Sequence, residues 1–344
     1  MVQRLVLWLV ALCFLALPGM ARPGAAGEVL DRIRREGLVT CGITSGSIGF
    51  ERLDANGRWT GFYPDMCRVL AAAIIGGADN ARFLELSSRN RFEAVRTGEV
   101  DVLTSGTTWT LERDGHLGLA FPTVYLYDGQ GFMVHKSLGL NRLADLKAGR
   151  VCVAEDTTTI RNLEAFIRLK NLPLTLVRSR SSEGSVTGFF NHHCDTITND
   201  RVGLVSMRMT RAPNPADYVI FPDLISKEPL APVVRQDDPE FVQIVHWAIA
   251  ATILAEEKGV TSANAGSMRS SDDPEIARLL GSVPGFGAWL GLDDGWAYRI
   301  ISQVGNYGEI FERNLGDGST LKMERGINAL WTRGGLMYAP PLGG

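Results

Sequence analysis

The sequence contains no GxxxxGK[ST] phosphate loop, no GxSxG elbow, no HExxH helix and no GxGxxG turn following a strand. The motif-based cases for a nucleotide hydrolase, an α/β-hydrolase, a zinc protease and a dinucleotide enzyme therefore fall away. A serine or cysteine nucleophile stays open, because its partners meet only in space. Charge of one sign is also lacking: 35 basic side chains face 38 acidic ones, a net −3. That leaves no basic surplus for phosphates and argues against a nucleic-acid partner. The 38 glycines and 15 prolines form no low-complexity pattern, and past the first segment no apolar run reaches the ~20 residues of a membrane span. At 45% hydrophobic and 21% charged, the 344 residues describe a compact chain, long enough for two domains at roughly 100–200 residues each.

The first 26 residues follow an export logic. Arg4 gives a positive start, residues 5–17 form an apolar run, Pro18-Gly19 breaks it, and Gly24-Ala25-Ala26 supplies small residues. That order predicts a cleaved signal peptide over 1–26, with an uncleaved anchor as the alternative. Cys13 lies inside this segment, leaving Cys41, Cys67, Cys152 and Cys194 in the exported chain. Four cysteines outside the cytoplasm point to two disulfides with three possible pairings, of which pairing within each region is simplest. The competing reading is a metal cluster of His192, His193, Cys194 and Asp195; no second cluster of ligand spacing accompanies it, so no metal is expected.

Along the chain, short apolar runs alternate with helical patterns. Residues 38–43, 82–86 and 100–103 read as strands, with helices over 62–75 and 91–97 between them. This β-α-β-α-β order predicts a parallel sheet covered by helices. The pattern restarts after Lys136, with strands over 150–154, 174–177, 196–199 and 218–221 and a helix over 157–170. A long helix over 241–258 and a helical end over 296–331 complete the chain.

The most informative stretch is residues 101–113, Asp-Val-Leu-Thr-Ser-Gly-Thr-Thr-Trp-Thr-Leu-Glu-Arg. A strand ends at Leu103, and strand carboxyl ends border the ligand crevice of open α/β sheets. Ser105, Gly106, Thr107 and Thr108 offer hydroxyls and a close backbone approach, and Arg113 offers a bidentate grip on a carboxylate. The plain alternative is a threonine-capped helix start with Arg113 on a wet surface. Trp109 reads as core, Phe50 as core or ligand contact, and Tyr125 and Tyr127 as flanking the cleft.

Several segments in order carry a resemblance: Trp59-Thr60-Gly61-Phe62, Arg91-Phe92-Glu93-Ala94-Val95, Thr107-Thr108-Trp109-Thr110, Asp128-Gly129-Gln130-Gly131-Phe132, Ile225-Ser226-Lys227-Glu228-Pro229-Leu230, and the long run from Gln303 to Asn314. In these the chain resembles the periplasmic amino-acid-binding proteins of ABC importers, in the general L-amino-acid branch of solute-binding family 3. The resemblance implies an α/β fold of two lobes, each a mixed sheet covered by helices, joined by two crossing hinge strands. Lobe 1 would comprise 27–130 and 229–344, with the carboxyl-terminal helical part in the return; lobe 2 would be 131–228.

The same resemblance assigns Arg113 to the ligand α-carboxylate, Thr108 to a supporting hydroxyl and N–H, Asp200 to the α-ammonium, and Thr157 and Thr158 to amides facing the carboxylate. Thr44, Ser47, Phe50, Ser105 and Gly106 complete the expected ligand set. It implies a monomer without cofactor that hands an L-amino acid to a membrane permease from the periplasm. Two departures stand out: Asp156 where the branch has glycine, expected to cap the following helix or repel the ligand, and Ser105-Gly106 where it has Arg-Asn. The alternatives are a dehydratase of the cyclohexadienyl type, with Asp156 or Glu155 as acid or base, a receptor for another small carboxylate, or a sensory module.

Overall fold

A computed structural model describes residues 27–44 and 47–343. The expected signal segment, its cleavage site and Ser45-Gly46 of the first loop lie outside the described residues. Two sheets organise the chain. The first is parallel, with Val39–Ile43 central between Ala81–Glu85 and Val102–Leu103. The second is mixed and five-stranded: Leu174–Ser179, Gly149–Ala154 and Thr196–Asp200 run parallel, while Gln130–His135 pairs antiparallel with Thr196–Asp200 and Tyr218–Ile220. Leu126–Asp128 and Glu228–Leu230, antiparallel to one another, are the two strands that cross between the lobes.

Helix Phe62–Ile74 shows why the first lobe holds together. Every residue from Phe62 to Ala73 is buried, since the helix is covered both by the sheet and by helices Pro239–Glu257 and Trp296–Gln303. A helix apolar on all sides belongs inside a core. Its one acid, Asp65, pairs with Arg68 at 3.0 Å and Arg313 at 2.8 Å, and accepts from Asn314 at 2.7 Å. The carboxyl-terminal segment is thereby tied into the first lobe.

Cys41 is bonded to Cys67, strand to helix, and Cys152 to Cys194 within the second lobe. The within-region pairing holds, and the alternative metal cluster loses Cys194. The loops closed span 26 and 42 residues, a constraint of about 3–4 kcal/mol each in the chain-entropy account. The long helix opens as its sequence dictates, with Asp238 accepting from the Phe241 amide at 3.0 Å and Pro239 in the first turn. Among the described residues no helix is long and apolar enough to cross a membrane.

The helical end departs from expectation: helices Trp296–Gln303 and Tyr307–Asn314 are followed by irregular chain and single 3-10 turns. Trp109 is a correction. It is 38% exposed, stacks flat on Phe121 at 6.1 Å and donates to Asp114. Strand Leu119–Ala120 and Phe121 give it a wall to lie on, not a core to enter.

Candidate functional site

The lobes meet around an inner cavity of about 140 Å³. The first lobe contributes Thr44, Ser47, Phe50, Glu51, Tyr63, Arg91, Gly106 and Thr108; the second contributes the helix start Thr157, Thr158 and Thr159, then Asn199, Asp200 and Met207. Eight expected ligand residues therefore share one wall system. Ser105 and Arg113 do not line this cavity. Ser105 is fully buried behind it, its hydroxyl 3.0 Å from that of Thr107 and its carbonyl accepting from Tyr125 at 2.5 Å. Tyr125 and Tyr127 stand outside the lining as well.

Arg113 is the buried guanidinium of a short helix, whose start is capped by Thr110 accepting from the Arg113 amide at 3.3 Å. The threonine cap and the buried arginine coexist, so the wet-surface alternative fails. Arg113 donates to the Thr108 carbonyl at 2.7 Å and borders an outer cavity of about 660 Å³ that shares Ser88 and Thr157 with the inner one. Phe92 lines the outer cavity and touches both arginines. The Arg91 guanidinium lies 4.9 Å from its ring centre and that of Arg113 lies 5.0 Å away.

Neither arginine has a carboxylate partner within salt-bridge distance among the described residues. Among the described residues Arg91 reaches only the Thr107 hydroxyl at 3.3 Å and the Gly106 carbonyl at 3.5 Å, and its Nε has no partner there. Burial lowers Arg91 to about 10; burial and then the charges of Arg91 and Arg161 lower Arg113 to about 9. Two buried cations that repel one another define a place where an anion is stabilising. Helix Thr158–Lys170 adds its amino-terminal dipole to the same side, capped by Thr157 accepting from Ile160 at 3.2 Å.

Across the cavity is Asp200, at the end of strand Thr196–Asp200. Its carboxylate accepts no hydrogen bond among the described residues. Burial, then Asp128 and Glu228, push its carboxyl well above the usual range, while Arg91 and Arg113 pull it back. Gly106 keeps this corner open: a Cβ there would stand 3.3 Å from the Tyr63 hydroxyl and 3.9 Å from Asp200 Oδ2.

Thr108 and Thr158 face each other at 3.3 Å, and both donate to buried Glu228, Thr108 by a short bond and Thr158 at 3.3 Å. Asn162 and Ser226 donate to the same carboxylate at 2.9 and 2.6 Å. Glu228 thus clamps both lobes at the crossing strand, a role the sequence did not mark.

Asp156 needs a correction. It adopts the left-handed conformation, φ 57°, which accounts for glycine being at ease there. The cap is Thr157; Asp156 instead pairs across the outer rim with Arg89 at 3.1 Å, as Glu155 does at 3.6 Å. Neither acid lines the inner cavity. Arg91, Glu51 and Tyr63 are among the site residues missed in sequence. The Arg91-Phe92 segment signalled kinship, yet its pairing with Arg113 across 21 intervening residues appears only on folding.

The family model for bacterial extracellular solute-binding proteins, family 3, matches residues 39–258. The general L-amino acid-binding periplasmic protein AapJ of Rhizobium johnstonii is 42% identical over 329 residues, spanning 95% of this chain and 96% of that protein. The glutamate/glutamine/aspartate/asparagine-binding protein BztA of Rhodobacter capsulatus is 43% identical over 327 residues, again 95% and 96%. A periplasmic binding protein of an ABC transporter from Brucella ovis, solved with glutathione bound, superposes with a TM-score of 0.89 at 42% identity, covering 91% of this chain and 98% of that one. The chain belongs to family 3 of the bacterial extracellular solute-binding proteins.

Proposed function

We propose that the protein is a periplasmic receptor that closes on an L-amino acid and presents it to the permease of an ABC importer. One observation carries this reading: the inner cavity sets the carboxylate-free buried guanidinium of Arg91 against the open carboxyl of Asp200, with the buried guanidinium of Arg113 beside Phe92 at the edge of the outer cavity. A zwitterion completes both ends, its carboxylate among Arg91, Arg113 and the first-turn amides of Thr157–Thr159, its ammonium on Asp200. Each lobe supplies part of the shell, so a ligand favours the closed form through contacts the open form lacks. Leu126–Asp128 and Glu228–Leu230 serve as the hinge. The names of the relatives describe amino-acid binding, and the rim pairing of Glu155 and Asp156 leaves the dehydratase reading without its acid.

A second reading is a small peptide as ligand. The Brucella ovis relative was solved with glutathione bound, and here the inner cavity shares Ser88 and Thr157 with the larger outer one. Titration calorimetry on protein freed of ligand, with the twenty L-amino acids and glutathione, tests both. Heat from one or more amino acids, abolished in Arg113→Ala, supports the first reading. Binding of glutathione alone transfers the site to the second.

A further inference from the structure

Glu51 is the one acid of the inner cavity that the zwitterion account leaves unused. It follows the turn that carries Phe50, where its amide bonds the Ser47 carbonyl at 2.9 Å. Gly61 holds that turn in place: its φ is 127°, and a Cβ would stand 2.3 Å from the Phe50 carbonyl oxygen. The Glu51 side chain is 4% exposed. Oε1 accepts from the Thr44 hydroxyl at 3.1 Å, and Oε2 has no partner among the described residues. No basic side chain stands within salt-bridge distance of it among the described residues. Burial pushes its carboxyl well above the ordinary range, with the Thr44 bond opposing.

An open acceptor buried without a partner costs roughly 1–3 kcal/mol, so such a group is tolerated where something else completes it. Two neighbours define what fits. Phe50 and Tyr63, with ring centres 5.6 Å apart, form an apolar flank for a ligand's methylene chain. The surrounding charge is the second constraint: Tyr63 feels Glu51, Asp200 and Asp128 together, and Glu228 bears on Asp200 as well. Four acids thus surround a site served by two arginines. Burial already holds Glu51 and Asp200 toward their protonated forms, and a side-chain carboxylate would raise the cost of ionising these acids further. A side chain ending in N–H groups relieves it.

We propose that Glu51 selects the ligand by its side chain, the open carboxyl oxygen accepting a hydrogen bond from an amide, ammonium or guanidinium at the side-chain end. The inference rests on the amino-acid reading above and names the substrate class within it: L-amino acids with nitrogen-bearing side chains, in preference to acidic or aliphatic ones. Glu51 acts on discrimination, whereas Arg91, Arg113 and Asp200 hold what all amino acids share.

The test is titration calorimetry of ligand-freed wild type and Glu51→Gln with L-glutamine, L-lysine, L-glutamate and L-leucine. Wild type is expected to bind glutamine or lysine at least about tenfold more tightly than glutamate or leucine, because unpaired buried polar groups dominate discrimination. In Glu51→Gln the amide donates where the acid accepted, so the preference for glutamine over glutamate should shrink at least about tenfold. A wild-type preference for glutamate or leucine overturns the proposal even if the variant fails to fold. So does a Glu51→Gln variant that weakens all four ligands by one common factor. If wild type binds none of the twenty amino acids, the amino-acid reading itself falls and takes this inference with it. Binding with the wrong order removes the inference alone.

Discussion

The inner cavity and the outer rim of the same cleft use the same residue types in opposite ways. On the rim, Arg89 pairs with Asp156 at 3.1 Å, Arg161 with Glu112 at 3.0 Å and Arg178 with Glu164 at 2.7 Å. All six side chains are more than a third exposed, and such pairs contribute little. Inside, among the described residues, Arg91, Arg113, Asp200 and Glu51 are left without an opposite charge at contact distance. Charges paired at the exposed rim are close to neutral in energy, whereas charges left unpaired by burial are completed when a ligand binds.

The largest effect expected from that contrast is at Arg113. Arg113→Ala should weaken amino-acid binding by about a hundredfold or more, because it removes a charged group from a desolvated site. Calorimetry reads the loss, and a melting curve checks that the apo fold persists.

Next is Asp200, whose protonation sets a pH dependence. Burial keeps its carboxyl protonated well above the ordinary range, and an ammonium favours the ionised form. Binding therefore releases a proton, and affinity should rise with pH as Asp200 ionises more readily. Asp200→Asn should bind at least about tenfold more weakly at pH 8 and lose most of that slope. An unchanged slope would assign the proton to another group.

A smaller effect concerns the ligand-free fold. Burial raises Asp128 to about 7, against lowering bonds from the Gly129 and Val202 amides. The unfolded chain loses that proton near pH 4 while the folded chain keeps it, so stability is full below that pH and declines up to about 7. The melting temperature of apo protein should fall between pH 5 and 7, and Asp128→Asn should flatten part of the fall. Smallest of all, Arg89→Ala on the rim should change affinity less than about threefold. A larger loss would put the rim inside the ligand shell.

How much of this was legible in the sequence follows from what is local. The alternation of strands and helices, the within-region cysteine pairs and the threonine-capped start before Arg113 depend on near neighbours, and residues 39–103 read nearly as they fold. Helix Arg201–Arg211, which carries Val202 and Met207 to the cavity, escaped because its apolar residues are diluted by arginines. Arg91 and Glu51 escaped for a different reason. Each sits in a short polar-apolar alternation that reads as a wet surface, and only the packing of Phe92 between two arginines, or of Glu51 beside Thr44, turns it inward. Trp109 failed in reverse, since a large aromatic after two threonines gives no sign of lying on the outside.

The most direct test of the central claim is a pair of titrations with the tightest-binding L-amino acid and its α-carboxyl methyl ester. If Arg91 and Arg113 hold the carboxylate, the ester should bind at least about a hundredfold more weakly while the parent stays tight. Equal affinity for acid and ester would contradict the account, leaving the two buried arginines without the anion that explains them.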